Sequence, residues 1–130
     1  MTLEADVLRF AQKTRTKLDG VHRKVVFDMT STIVKMTPVD TGHARSNYFW
    51  GVSRVTNADP AENKGGAPSI TRAGEFSTGL RAGGVVYLTN NLPYIMKLEY
   101  GASKQAPAGL ARVTVARFQQ MVNAAVAGLR

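Results

Sequence analysis

Thr37-Pro38-Val39-Asp40-Thr41-Gly42 closes one long helical pattern and opens a strand-rich middle. A residue before proline is pushed out of the α region, so the helix is expected to end at Thr37. Asp40 can accept hydrogen bonds from the backbone two residues on, and Gly42 can supply a positive φ. Pro38, Asp40, Thr41 and Gly42 are therefore read as a structural corner between a helix and a sheet.

Upstream of the corner, Leu3, Val7, Phe10, Ala11, Thr14, Leu18, Val21 and Val25 recur at spacings of three and four and line one face. Val26, Met29, Ile33 and Met36 continue the pattern on a slightly rotated face. This predicts helix over 1–36, either unbroken or as two pieces meeting at Asp19-Gly20, because glycine costs about 1 kcal/mol inside a helix. Unbroken, it would be roughly 50 Å long. That is longer than a small core can cover, so one end is expected to project or to pack on another subunit.

Downstream, Tyr48 to Val55 is aromatic and β-branched and reads as a strand, as does Gly84 to Asn90. Between them, residues 57–83 are rich in glycine, proline and small polar residues. They are expected to form a long central loop, with room for a short helix over 69–81. Pro93 can start a short helix over Tyr94 to Glu99, which Gly101 ends. Pro107 and Gly109 punctuate the start of a last helix within 107–130. Its apolar face is Leu110, Val113, Phe118, Met121, Val122, Ala125, Val126 and Leu129. Residues 43–106 thus hold the sheet, the loop and the short helix. The whole chain, 1–130, is read as one α+β domain, with long N- and C-terminal helices packed on a small, mainly antiparallel sheet.

Composition narrows the chemistry. The chain has no cysteine, which removes disulfides, thiolate metal sites and cysteine nucleophiles. No apolar run approaches the roughly 20 residues that cross a bilayer, so no membrane partner is expected. The N-terminal stretch mixes acids with apolar residues and does not read as a signal peptide. The net charge is +8, a bias toward polyanions or an acidic protein partner. It is dispersed along the chain, although residues 107–130 carry three arginines and no acid.

Asp40-Thr41-Gly42 also spells the active triplet of dimeric aspartic proteases, in which two carboxylates share a proton. That triplet should follow an apolar strand, whereas here a Thr-Pro corner precedes it and His43 follows. The two histidines, His22 and His43, have no acidic cluster at metal-ligand spacing. No serine lies in a nucleophile elbow, and Lys64-Gly65-Gly66 lacks the order of a phosphate loop. No enzyme activity, metal or cofactor is expected. Tyr48, Phe49 and Trp50 beside Arg45 and Arg54 offer a stacking platform for single-stranded nucleic acid. The alternative is that they pack in the core. Lys64, Arg72 and Arg81 in the loop are candidates for nonspecific DNA or partner contact.

Taken in order, three pieces of the chain resemble one known family. Thr37-Pro38-Val39-Asp40-Thr41-Gly42 followed by His43-Ala44-Arg45-Ser46 resembles the opening motif of tailed-phage neck and tail-completion proteins. Asn91-Leu92-Pro93-Tyr94-Ile95-Met96-Lys97-Leu98-Glu99-Tyr100-Gly101 is similar to the second block of that family. Ala106-Pro107-Ala108-Gly109-Leu110 matches its link to a C-terminal helix. His43-Ala44 stands where the family more often has a basic residue and leucine. The resemblance implies a structural protein of the virion neck, assembled in the host cytoplasm as a ring, usually a hexamer. Such a ring docks the head-side connector or stopper to the tail terminator or tail tube, with DNA passing through its lumen. It also implies that Arg45, Tyr94, Glu99, Tyr100 and Gly101 belong to an interface around the corner, with Glu99 a candidate partner for Arg45. Other roles left open are tail terminator and small basic DNA-binding or packaging accessory protein.

Overall fold

A computed structural model describes residues 2–106 and 108–128. Pro107 and Leu129, read above as a helix punctuator and an apolar-face residue, lie outside the described residues. The described chain forms five helices and a two-stranded antiparallel sheet, a small α+β fold.

Helix α1 spans Leu3–Met36 without a break. Thr2 caps it, its Oγ1 accepting the Ala5 N–H at 3.2 Å, and Glu4 and Asp6 sit in the first turn where the helix dipole favours negative charge. Gly20 stays helical. Its penalty is local, and the half of the helix that follows it is held by burial of Val25, Val26, Thr30, Ile33 and Val34. At Thr37 the backbone turns extended, with φ −65° and ψ 124°, as the following proline requires.

Strand β1 (Phe49–Gly51) pairs with β2 (Tyr87–Thr89) in the register Phe49–Thr89, Trp50–Leu88, Gly51–Tyr87. Both strands are three residues long, shorter than the runs 48–55 and 84–90 predict. At Tyr48 the reason is visible: its N–H goes to Ser69 Oγ at 3.0 Å and its C=O to Arg72 at 3.2 Å, so neither is free for a ladder.

Helix α2 (Ala67–Thr78) occupies most of the second half of the expected 57–83 loop, with Pro68 in its first turn. It packs on α1 and on β1. A short α3 (Ile95–Glu99) follows β2. The expected single C-terminal helix is instead two, α4 (Ala111–Ala116) and α5 (Phe118–Ala127), meeting at Arg117. The apolar stripe itself is out of step there. Val113 and Phe118 are five apart, where a continuous helix repeats every three or four.

The core lies where these elements converge on the C-terminal half of α1. Ile33, Val34, Tyr48, Ala106 and Leu110 form its centre, and Ile70, Leu88, Ile95 and Leu98 pack around it.

Candidate functional site

The corner leads into a buried polar junction. Thr37 is fully buried, and its hydroxyl donates to Ile33 O at 2.6 Å while meeting Tyr48 Oη at 2.7 Å. With the threonine proton already committed, the tyrosine donates. Burial pushes the Tyr48 phenol up to about 12, against the lowering effect of the Thr37 hydrogen bond, so it stays neutral.

After the corner, Gly42 takes φ +91°, and a side chain there would overlap the Asn63 backbone. This close approach brings the loop 59–66 onto the turn 43–46. Ser46 Oγ donates to Gly42 O at 2.8 Å and accepts the Asn63 N–H at 3.2 Å. Asn47 binds the loop at both ends of its amide, donating to Asp59 O at 2.9 Å and accepting the Asp59 N–H at 2.8 Å. His43 Nε2 reaches the same Asp59 carbonyl at 3.0 Å.

Two arginines clamp the junction. Arg45 donates to Thr37 O at 2.7 Å, Lys64 O at 2.9 Å and Lys35 O at 3.0 Å. It thereby satisfies carbonyls at the C-terminal end of α1, where positive charge also suits the dipole. Arg72 pairs with Asp59 at 2.8 Å, donates to the Ser46 and Tyr48 carbonyls, and lies over the Phe49 ring at 3.9 Å. The Asp59 carboxyl is held below its ordinary range, first by the Ala61 N–H and then by Arg72. Among the described residues no buried side-chain nitrogen or oxygen lacks a partner.

A second polar knot closes the far side of the core. Glu99 accepts the N–H groups of Leu110 at 2.9 Å, Ala111 at 2.7 Å and Arg112 at 3.1 Å, and pairs with the Arg112 guanidinium at 3.0 Å. Desolvation raises its pKa, but the three backbone donors and Arg112 together outweigh it, and the net shift is downward. Arg112 also donates to Glu99 O and lies over the Tyr100 ring at 5.2 Å.

Several sequence readings are corrected here. Glu99 does not pair with Arg45. It caps α4, while Arg45 is taken up by three carbonyls. Arg72 is no loop cation free for DNA, because α2 carries it into the junction, whereas Lys64 and Arg81 remain exposed. Tyr48 and Phe49 are both buried, and Trp50 stacks on Phe76 and donates to Thr30 at 2.6 Å, so the three aromatics form no open platform. Asp40 is exposed and makes no hydrogen bond among the described residues. The local turn bond comes from Thr41, whose Oγ1 accepts the His43 N–H at 3.2 Å. Of the expected interface set, Tyr94 alone joins Pro38, Asp40 and Thr41, around a shallow hollow of about 350 Å³. Gly101 ends α3 at φ +83°, and Tyr100 points to solvent.

The sequence reading missed Ser46, Asn47, Asp59 and Ser69. Their signal was weak but present: small polar residues flanking turns and a proline, the types that bond backbone locally. Among the described residues, no serine or threonine hydroxyl meets a histidine ring or carboxylate, and no three His, Asp or Glu side chains gather at metal-binding distance. Comparison with protein-family models, curated proteins and solved structures gives no match for this chain, and the functional reading rests on its own residues.

Proposed function

We propose that the chain is a ring-forming structural protein of the tailed-phage neck, a tail-completion protein that docks the tail to the head connector and lets DNA pass. One observation supports this most. The polar residues of the motif-like segments, Thr37, Arg45, Ser46 and Glu99, bind other parts of the fold, while the first half of α1 presents apolar side chains to solvent. That division suits a part that fits against other parts. It gives no reason to assign catalysis, metal or cofactor.

The net charge of +8 suits a lumen through which DNA moves without being read. Exposed Lys64 and Arg81 are the loop cations available for such contact. The same charge is what favours the second reading, a small basic DNA-binding accessory protein. Counting the protein in purified virions separates the two. About six copies per particle at the head–tail junction supports the ring, a number set by the usual neck symmetry. Absence from virions, with retention of DNA by the free protein, overturns it in favour of the accessory role.

A further inference from the structure

The N-terminal half of α1 carries an apolar ridge without an internal partner. Leu3, Val7 and Phe10 repeat along one face and are 79%, 57% and 73% exposed. Elsewhere on the molecule lies an apolar groove of about 380 Å³ between the middle of α1, residues 82–86 and α5. Leu18, Val21, Val25, Val86, Phe118 and Val122 line it. It continues along α1 into a shallower hollow that shares Leu18 and Ala82 and reaches Arg15.

We infer that the first turns of α1 of one copy seat in this groove on a second copy. The choice of occupant rests on charge as well as shape. Glu4 and Asp6 sit beside the ridge in the first turn of α1. The groove is flanked by basic residues: Arg15 lines its extension, while exposed Arg81 and Arg117 adjoin Ala82 and Phe118. The acid nearest the groove, Asp19, already accepts the Ala82 N–H at 2.7 Å. On the ridge, Asp6 is engaged only by an exposed contact with Arg9 at 3.5 Å. An acidic-edged apolar ridge thus meets a basic-edged apolar groove.

The ridge cannot reach the groove of its own chain. Because α1 is unbroken, its first turns lie roughly 25 Å along the axis from the residues that floor the groove. Ridge and groove are also different surfaces, so the contact is head-to-tail, the type that closes into rings. The inference deepens the neck reading by naming the subunit seat, and it rests on that reading only for the ring's biological place.

A photocrosslinking side chain in place of Val7, in full-length protein mixed from light and heavy isotope preparations, gives the direct test. Crosslinks are expected from position 7 to peptides holding residues 81–86 and 117–122, in mixed-isotope pairs. In sedimentation, Val7→Ser with Phe10→Ser is expected to weaken self-association about 100-fold. Glu4→Lys with Asp6→Lys weakens it about tenfold at low salt, and Arg81→Glu with Arg117→Glu in the same chain restores it. Same-isotope crosslinks alone, which mean that the helix folds back at Gly20, overturn the inference. So does self-association indifferent to the serine pair, or a wild-type chain that stays monomeric at its solubility limit. A ring counted in virions together with an indifferent serine pair rejects this seat and keeps the neck reading. A mapped seat on a protein absent from virions does the reverse.

Discussion

The two halves of α1 share one helix and meet opposite surroundings. From Val25 onward the helix is buried against α2, α5 and the sheet, and its last carbonyls are held by Arg45. Before Leu18 almost every side chain is exposed, including Leu3, Val7, Leu8 and Phe10. Both halves carry apolar residues at helical spacing, so periodicity does not distinguish them. What distinguishes them is the rest of the chain: everything after the corner returns to the C-terminal half and leaves the other bare. Stability and self-recognition are therefore located in separable parts of one element.

The largest expected effect tests the buried end. Arg72→Met keeps an apolar stem over Phe49 but removes the donors to the Ser46 and Tyr48 carbonyls and the partner of Asp59. Leaving two buried acceptors unsatisfied is expected to lower stability by about 3 kcal/mol, measured by urea unfolding. A residue that merely lent charge to DNA would change stability by less than about 0.5 kcal/mol. An Arg72→Met protein as stable as wild type, with weaker DNA retention, would return this arginine to the role the sequence suggested.

That reversal shows how far the sequence could be read. The helix end at Thr37-Pro38, the positive φ of Gly42 and the antiparallel pairing of the two β-rich runs all follow from local rules: proline sterics, glycine freedom and alternating bulky residues. Arg72 and Glu99 do not follow from such rules. Their partners lie 13 residues or more away in sequence, at Asp59 and at Arg112, and only the packing of α2 and α4 brings them together. The kink at Arg117 was readable in the five-residue step of the stripe, but helix propensity pointed the other way. The exposed ridge of α1 was half readable. Its length required one end to project, yet nothing local said which.

A middle-sized effect lies at the second knot. Glu99→Gln loses charge on a side chain that caps α4 with three backbone N–H bonds. A lost cap of this type costs about 0.5–2 kcal/mol. The pH dependence has a definite sign. The folded pKa of Glu99 is depressed, so its stabilisation is complete above the ordinary carboxylate value of 4.5 and is lost as pH falls through the lowered folded value. Asp59 is also depressed and adds to the same acid limb, which identifies neither residue alone. Thermal melting of wild type and Glu99→Gln across the acid range separates them. The gap between the two proteins should be widest near neutrality and close on acidification. A gap that is constant with pH would mean that the amide is lost packing and not lost charge.

The smallest expected effect is the most telling for the contrast between the halves. Val7→Ser with Phe10→Ser changes two large apolar residues in a helix, a replacement that in a core costs several kcal/mol. Here both side chains already face water, so in dilute protein the unfolding midpoint is expected to move by no more than about 0.5 kcal/mol equivalent. Val26→Ala, on the same helix but 2% exposed, removes two buried methyl groups and is expected to cost about 2 kcal/mol. Amide exchange should follow the same divide. An isolated helix of 12–15 residues is only marginally stable in water, at about the length of the bare half. Its amides should therefore exchange orders of magnitude faster than those of residues 26–34, and slow down only when a second copy covers them. If the serine pair and Val26→Ala cost equal stability in the monomer, the first half of α1 has an internal partner, and the separation of folding from self-recognition fails.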